Sequence, residues 1–495
     1  MTIITLLTYI GIISIVFTLG LTFVFKKQKS VVTSLLQNFT GILFLFSGWV
    51  KAVDPLGTAF KMEDYFAEFH KTFADTAVSF IAPIFPLLSE YSTSFAIFMI
   101  IFEIVLGLML IMGDRPKWTS WLFFLLVLFF TFLTGFTYLT GYVPNDANFF
   151  SFSSWGEYKV TNMRVTDCGC FGDFIKLEPK VSFFKDIFLL FPAIYFLFRY
   201  KTMHQLFTAK SRNVTLGISM ILLVLYCIWN FHWAEPHVDF RPFRNGANIA
   251  AIKKTEIDAS NAVKILAMKM KNKTTGEIKQ FSYEDYLKNL SALTDEFETV
   301  EQIKTEPTIA ETKISHFDIT DFEGNDKTDL YLASVEPHIM VIVYKPLYKA
   351  ESAKRMVTDT IFRNDTVSVS GFKDSLQVLT SIDRVEEREE TYFNIKWDAG
   401  FIAEFRDKIK PLKEAAEADN VKMSVVISGI DGEKATLLAQ ETGLDIPYYT
   451  ADEKLLKTIM RSNPGVILWK NGVLIHKWHI RKLDEWSEIK GQYLK

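Results

Sequence analysis

Cysteine is scarce in this chain of 495 residues: there are three, Cys168, Cys170 and Cys227, and none follows Cys227. So few thiols exclude a disulfide-stapled scaffold, and a long thiol-free C-terminal part suits an oxidising compartment without requiring one. Charge of one sign is lacking too. The net charge is −3 and the pI is near 6.3, so no basic excess marks nucleic acid as a partner. Apolar residues are the surplus. Phe, Leu and Ile dominate up to about residue 233 and charged residues dominate afterwards, which puts two halves of the chain in two different solvents.

Crossing about 30 Å of hydrocarbon takes about 20 apolar residues in a helix, because a helix satisfies its own backbone polar groups. Six runs qualify: Thr2 to Phe25, Val31 to Val50, Tyr91 to Gly113, Lys117 to Tyr142, Ser182 to Phe198 and Asn213 to Phe231. The first is long for a signal peptide, has no basic residue before its apolar run and lacks a small-x-small site before Lys26, so it reads as an uncleaved span. Positive charge is dense in Lys26-Lys27-Gln28-Lys29, in Asp114-Arg115-Pro116-Lys117 and from Arg199 to Arg212. These stretches alternate with two longer loops, about 52 to 90 and 143 to 181, whose charges balance. Because Lys and Arg are retained in the cytoplasm, the expected location is a bacterial inner membrane, in contact with its lipid. The N-terminus and everything after His232 are expected on the periplasmic side.

The sharpest local signal is Asp167-Cys168-Gly169-Cys170-Phe171-Gly172-Asp173, two thiols one glycine apart in a loop expected outside the cytoplasm. Such a pair can close a small, strained, labile disulfide, with Gly169 supplying the backbone freedom. Asp167 and Asp173 disfavour a thiolate, which needs positive neighbours such as Arg164 or Lys176, so a redox pair and a structural staple both remain open. A metal is not expected, because two thiolates cannot complete a tetrahedral site and His232 and His237 lie far along the chain. Cys227, late in the sixth run, reads either as the third member of a thiol relay or as an inert small hydrophobe.

Three charged residues fall at the membrane. Glu103 lies near the middle of the third run, where an ionisable group is expensive and points to function or a partner. Lys51, followed by Asp54, ends the second run, where a lysine can snorkel to the interface. Counting about 1.5 Å per residue from Tyr91 places Glu103 roughly 18 Å deep, so no direct Lys51–Glu103 contact is expected. The phenylalanines of the fourth run, Phe123-Phe124 and Phe129-Phe130-Thr131-Phe132, read as quinone-site lining or simply as core and lipid-facing residues.

Ser47-Gly48 with Lys51 and Asp54-Pro55, then Phe60 and Tyr65, Glu103 with Gly107, and Cys-Gly-Cys-Phe-Gly from Cys168 to Gly172 follow one another in order. Over residues 31 to 200 this pattern resembles DoxX-like and MauE-like four-helix membrane proteins. The resemblance implies a four-helix bundle and, for the MauE-like branch, extracytoplasmic disulfide chemistry. DoxX-like relatives include a subunit associated with thiosulfate:quinone oxidoreduction, so a quinone is an implied cofactor. The first and sixth runs and the long loop before Cys168 depart from the pattern. The layout is similar to DoxX-like proteins of Bacteroidota with a large C-terminal periplasmic domain.

After residue 233 the chain reads as two units. The first, 234–335, is polar, with a turn at Lys273-Thr274-Thr275-Gly276 and a helix around Tyr283 to Leu293. The second, 336–495, alternates strand His338 to Lys345, helix Ala399 to Ala418, strand Lys422 to Ser428, helix Gly432 to Gly443 and helix Glu453 to Met460. Strands Gly465 to Lys470 and Val473 to His479 flank Asn471-Gly472, a type I′ hairpin signal, and a helix from Leu483 ends the chain. This order resembles the second half of a thioredoxin fold, with Pro464 at the cis-proline position. Where thioredoxins carry Cys-x-x-Cys, this chain has Pro346-Leu347-Tyr348-Lys349 and then a long insertion. The expected fold is therefore an α-helical membrane bundle of about six spans joined to an α/β, thioredoxin-like soluble domain. The boundaries are 1–30 for the first span, 31–200 for the four-helix domain and 201–233 for the sixth span. Two functions follow as expectations. One is thiol–disulfide redox at Cys168-Gly169-Cys170 linked to a quinone. The other is a non-catalytic envelope subunit whose soluble domain binds periplasmic or membrane protein partners.

Overall fold

The computed structural model describes residues 2–165, 169–368 and 376–494. Its first half holds helices α1 (Ile3–Phe23), α2 (Val31–Val53), α3 (Pro55–Ala74), α4 (Ile84–Glu90), α5 (Ser92–Met112), α6 (Pro116–Thr140), α7 (Pro179–Arg199) and α8 (Ala209–Ile228). Six of these, all but α3 and α4, are long and apolar enough to cross a membrane, and the chain is a membrane protein with several spans. Local chemistry sets their ends. Ser30 and Thr208 cap α2 and α8, Pro55, Pro116 and Pro179 occupy first-turn positions, and Gly113 closes α5 in the left-handed region at φ 64°.

Two glycines bring α2 and α5 close together. A Cβ on Gly41 would lie 2.6 Å from Cγ1 of Ile111, and one on Gly107 would lie 2.9 Å from the Gly41 carbonyl. Small residues that let backbones touch are the usual basis of helix packing in lipid, where burial of apolar surface gives no drive. Outward faces stay apolar: Ile218, Ile221, Leu222 and Leu225 of α8 are exposed, which is lipid contact for a spanning helix.

The stretch from 52 to 90, expected as a loop, is largely helical. Asp54 caps α3, accepting from the Gly57 N–H, and Leu56, Ala59, Tyr65, Phe66 and Phe69 turn inward at helical spacing. Lys61, Glu63, Asp64 and Glu68 interrupt the apolar run and so hid an amphipathic helix from a search for spans.

The second half begins with β1 (Ala247–Asn248), α9 (Ile249–Asn261), β2 (Ile265–Asn272), β3 (Ile278–Ser282), α10 (Tyr283–Lys288), α11 (Leu290–Glu296), β4 (Phe297–Lys304) and α12 (Asp329–Leu332). The helix expected from Tyr283 breaks at Asn289 into α10 and α11. Next come β5 (His338–Val343), β6 (Tyr348–Ser368), β7 (Leu376–Trp397), α13 (Ala399–Glu404), α14 (Lys410–Ala418), β8 (Lys422–Ile427) and α15 (Gly432–Thr442). The chain ends with β9 (Tyr448–Thr450), α16 (Glu453–Ile459), β10 (Gly465–Lys470), β11 (Val473–His479) and α17 (Trp486–Tyr493). A 3-10 turn at Ile480–Lys482 delays α17 beyond the expected Leu483.

The central sheet runs β1-β11-β10-β5-β8-β9, with β5, β8 and β9 parallel and β10 and β11 antiparallel. All six residues of β5 are buried, as expected for a strand covered on both faces. Phe401, Phe405 and Leu412 cover one face with Trp486, while Ile249, Tyr331 and Leu456 cover the other. The insertion after Tyr348 is one long antiparallel ribbon of β6 and β7, and β3-β2-β4 form a separate small sheet. Asn471 and Gly472, at φ 53° and 70°, make the tight β10–β11 turn.

Candidate functional site

The loop before α7 is held from three sides. Ser47 of α2 donates to the Cys170 carbonyl at 2.8 Å, Phe171 is buried, and the Phe174 ring meets Phe46 at 5.4 Å and Phe240 at 5.0 Å. Gly169 has φ +64°, and a Cβ there would lie 3.2 Å from Cγ of Lys61, so both backbone conformation and space call for glycine. Cys168 lies outside the described residues.

Lys51 and Glu103 are in direct contact, which corrects the depth count. The Lys51 ammonium donates to Oε2 of Glu103 at 2.6 Å, with the two side chains 8% and 3% exposed. The count assumed that α2 and α5 end in one plane. Instead Gly48 packs on Ile104, with an added Cβ only 2.4 Å from Ile104 Cγ1, so Lys51 comes level with the Glu103 turn. The first turns of α5 extend past the end of α2 and pack on α3, where Phe66 and Phe95 rings lie 5.9 Å apart. An ion pair this deep costs desolvation of both charges, and each partner is what makes the other tolerable.

Beside this pair lies an apolar cavity of about 350 Å³, walled by phenylalanines of α3, α5 and α6. Lys51, Glu103, Gly169 and Cys170 line it together with Phe66, Phe69, Phe95 and Phe130. The Lys51 ammonium also sits 5.2 Å from the Phe130 ring centroid. Of the phenylalanines singled out in α6, Phe129, Phe130 and Phe132 line this space, whereas Phe123 is buried against Phe44. A second, charged cavity of about 510 Å³ lies between α3, the loop from Gly169 to Lys176 and α16 of the soluble half. Thr58, Lys61 and Gly169 line both.

Asp54 belongs to the seam between the two halves. Arg461, just after α16, grips it with Nε at 2.8 Å and Nη2 at 2.7 Å, and Nη2 also lies 3.6 Å from Asp173. Glu235 accepts the Arg461 and Ser462 backbone N–H groups at 3.0 and 2.8 Å, and its other oxygen takes Arg241 at 2.7 Å. Burial alone would raise the Asp54 carboxyl, but the Arg461 guanidinium outweighs it and holds that carboxyl below the usual range. Three residues on, the Asn463–Pro464 bond is cis, and Asn463 exchanges hydrogen bonds with the backbone of Lys345. The N-terminal end of β10, where Pro464 stands, therefore faces the membrane half.

Cys227 sits apart from Cys170. It is fully buried among Ala52, Ile100 and Ile104, while Cys170 packs with Phe46, Met62 and Phe171 in another cluster. Cys227 lines neither cavity, so nothing among the described residues joins it to a thiol relay. Sequence reading missed Lys61, Arg461 and Glu235. The helical spacing of Phe66, Phe69 and Phe73 was a usable signal for α3 and hence for Lys61, but a contact between residues 54 and 461 leaves no local trace.

One stretch of the membrane half is MauE-like. Residues 29–145 match the family described as methylamine utilisation protein MauE, a stretch covering α2 to α6 with Ser47, Lys51, Asp54 and Glu103. The match ends before Gly169 and Cys170. No curated protein and no solved structure matches the chain.

Proposed function

We propose that the chain is an inner-membrane thiol–disulfide redox protein that passes electrons from extracytoplasmic thiols to a quinone. The observation that carries this reading is Cys170 in the wall of an aromatic cavity that also holds the Lys51–Glu103 pair. In each cycle two substrate thiols become one disulfide while the Cys168–Cys170 disulfide becomes two thiols. Its re-oxidation releases two electrons and two protons. The donor set fits a quinone, because aromatic rings suit a flat headgroup and Lys51 offers a charged donor beside them. A bound quinone supplies a two-electron, two-proton acceptor. Lys51 would orient its ring oxygen, Glu103 would hold Lys51 in place, and the phenylalanines would keep water from the exchange.

The soluble half reads as a thioredoxin-like domain over 336–495 without its own thiols. Parallel β5 and β8, antiparallel β10 and β11 and a cis-proline before β10 support that reading. It is a platform rather than a reductant, because Pro346-Leu347-Tyr348-Lys349 stands where a dithiol would be needed. The same feature favours a second reading: an envelope subunit that holds partner proteins and whose Cys168 and Cys170 only staple a loop.

Trapping separates the two. Cys168→Ser and Cys170→Ser proteins are expressed in cells, quenched with acid and examined for mixed disulfides. A partner accumulating on one single variant and not the other supports exchange. No adduct on either, with unchanged growth, leaves the staple. An impermeant maleimide labels Cys170 in intact spheroplasts after reduction if the loop is extracytoplasmic, and only after lysis if the orientation is reversed.

A further inference from the structure

We propose that the end of the helix bundle opposite the soluble half binds the phosphate headgroup of an anionic phospholipid. All six spans have an end there, because the soluble half follows the other end of α8. Three loops distant in sequence meet at that end. Leu206 donates its backbone N–H to the Met112 carbonyl at 2.9 Å, the hydroxyls of Thr33 and Thr202 share a hydrogen bond of 2.9 Å, and the His204 N–H donates to Gln37 at 3.2 Å. Between them lies a cavity of about 450 Å³ lined by Lys29, Arg115, Lys117, Lys201, Trp118 and Tyr200. The four cations are exposed, and no acid lines the space among the described residues. Asp114 is the one acid within residues 24–30, 113–118 and 199–212, and Arg212 holds it at 2.9 Å, with Nε of Arg115 at 3.8 Å. Like charges gathered in one hollow repel one another, and an anion bound among them relieves that repulsion. The surroundings select a lipid over a soluble anion. Trp118 is exposed, and Trp121, Leu125 and Phe132 continue the same outward stripe along α6 at helical spacing. Trp and Tyr favour the headgroup level of a bilayer, and basic pockets between spans suit anionic headgroups. The phosphate would sit among Lys29, Arg115, Lys117 and Lys201 while an acyl chain lies along the stripe. This site is independent of the redox reading.

The test uses the full-length protein, delipidated in a neutral detergent, and native mass spectrometry to titrate dioleoyl phosphatidylglycerol and dioleoyl phosphatidylcholine onto it. The first phosphatidylglycerol should bind about tenfold or more tighter than phosphatidylcholine. Lys117→Gln/Lys201→Gln should weaken that step by about tenfold or more and leave phosphatidylcholine unaffected, whereas Lys117→Arg/Lys201→Arg should keep the parent affinity. Lys26→Gln/Lys27→Gln removes the same charge from the same face but outside the cavity, so it should change the affinity by less than about twofold. Lys29→Gln, on a different loop, should weaken the step by about fivefold and covers the case of a misfolded double variant. The assignment is overturned if the parent binds both lipids equally, or if the Lys26→Gln/Lys27→Gln protein loses as much affinity as the Lys117→Gln/Lys201→Gln protein. The first result denies headgroup selection, and the second assigns the effect to the overall charge of the face. Excess inorganic phosphate should not displace the lipid. Its displacement would make the cavity a site for a free anion and would equally overturn the lipid assignment.

Discussion

Replacing Arg461 with methionine tests how the soluble half is held against the membrane half. In the native seam the guanidinium makes a two-pronged bond to Asp54, with side chains 4% and 16% exposed. Removing one partner of a buried pair leaves the other charged without compensation, at a cost of about 3–5 kcal/mol. Arg461→Met strands Asp54, and Asp54→Asn strands Arg461, whose remaining carboxylate is Asp173 at 3.6 Å. The double variant strands neither, so it should be less destabilised than the sum of the singles by at least about 1 kcal/mol. Hydrogen exchange of α16 and β10 in nanodiscs reads the opening equilibrium, which should rise more than about a hundredfold in each single variant. Strict additivity, or a change under about twofold in either single variant, would refute the seam as the holding contact. The pH dependence has a definite sign. Because the folded Asp54 carboxyl is depressed, its contribution is present above the unfolded value of about 3.9 and is lost as pH falls through the lower folded value. Docking should therefore be flat across neutrality and weaken only in strong acid.

Lys51→Met should weaken binding of a short-chain quinone analogue by about tenfold or more in calorimetry, with Lys51→Arg retaining most of it; equal affinity in all three proteins would remove Lys51 from that site. His338 is buried and donates to or accepts from Ser424 at 2.8 Å, and burial with Lys422 nearby pushes it down to about 4. The unfolded chain takes that proton near pH 6.5, so stability should fall from pH 6.5 towards 4 by about 3 kcal/mol, a slope that His338→Gln should abolish in acid melts. Gly41→Val forces a side chain into the space of Ile111 and should cost about 1–3 kcal/mol by steric-trap unfolding, whereas Gly217→Val on the open face of α8 should be neutral.

The membrane half was legible because its signals are local. An apolar run of about 20 residues specifies a span whatever surrounds it, and the six runs became six helices with ends shifted by a few residues. Asn471-Gly472 likewise specifies its turn through backbone preference alone. The amphipathic α3 was less legible, since a helix half in protein and half near water has charges wherever its outer face requires them. What only the tertiary structure decided was level and proximity. Depth counted along one helix says nothing about where its neighbour ends, and the Lys51–Glu103 pair depended on Gly48 seating against Ile104. The meeting of Asp54 with Arg461, and of Lys61 with Gly169, joins segments far apart in sequence. Composition selected two solvents for two halves of one chain; packing between those halves chose which charges would face each other.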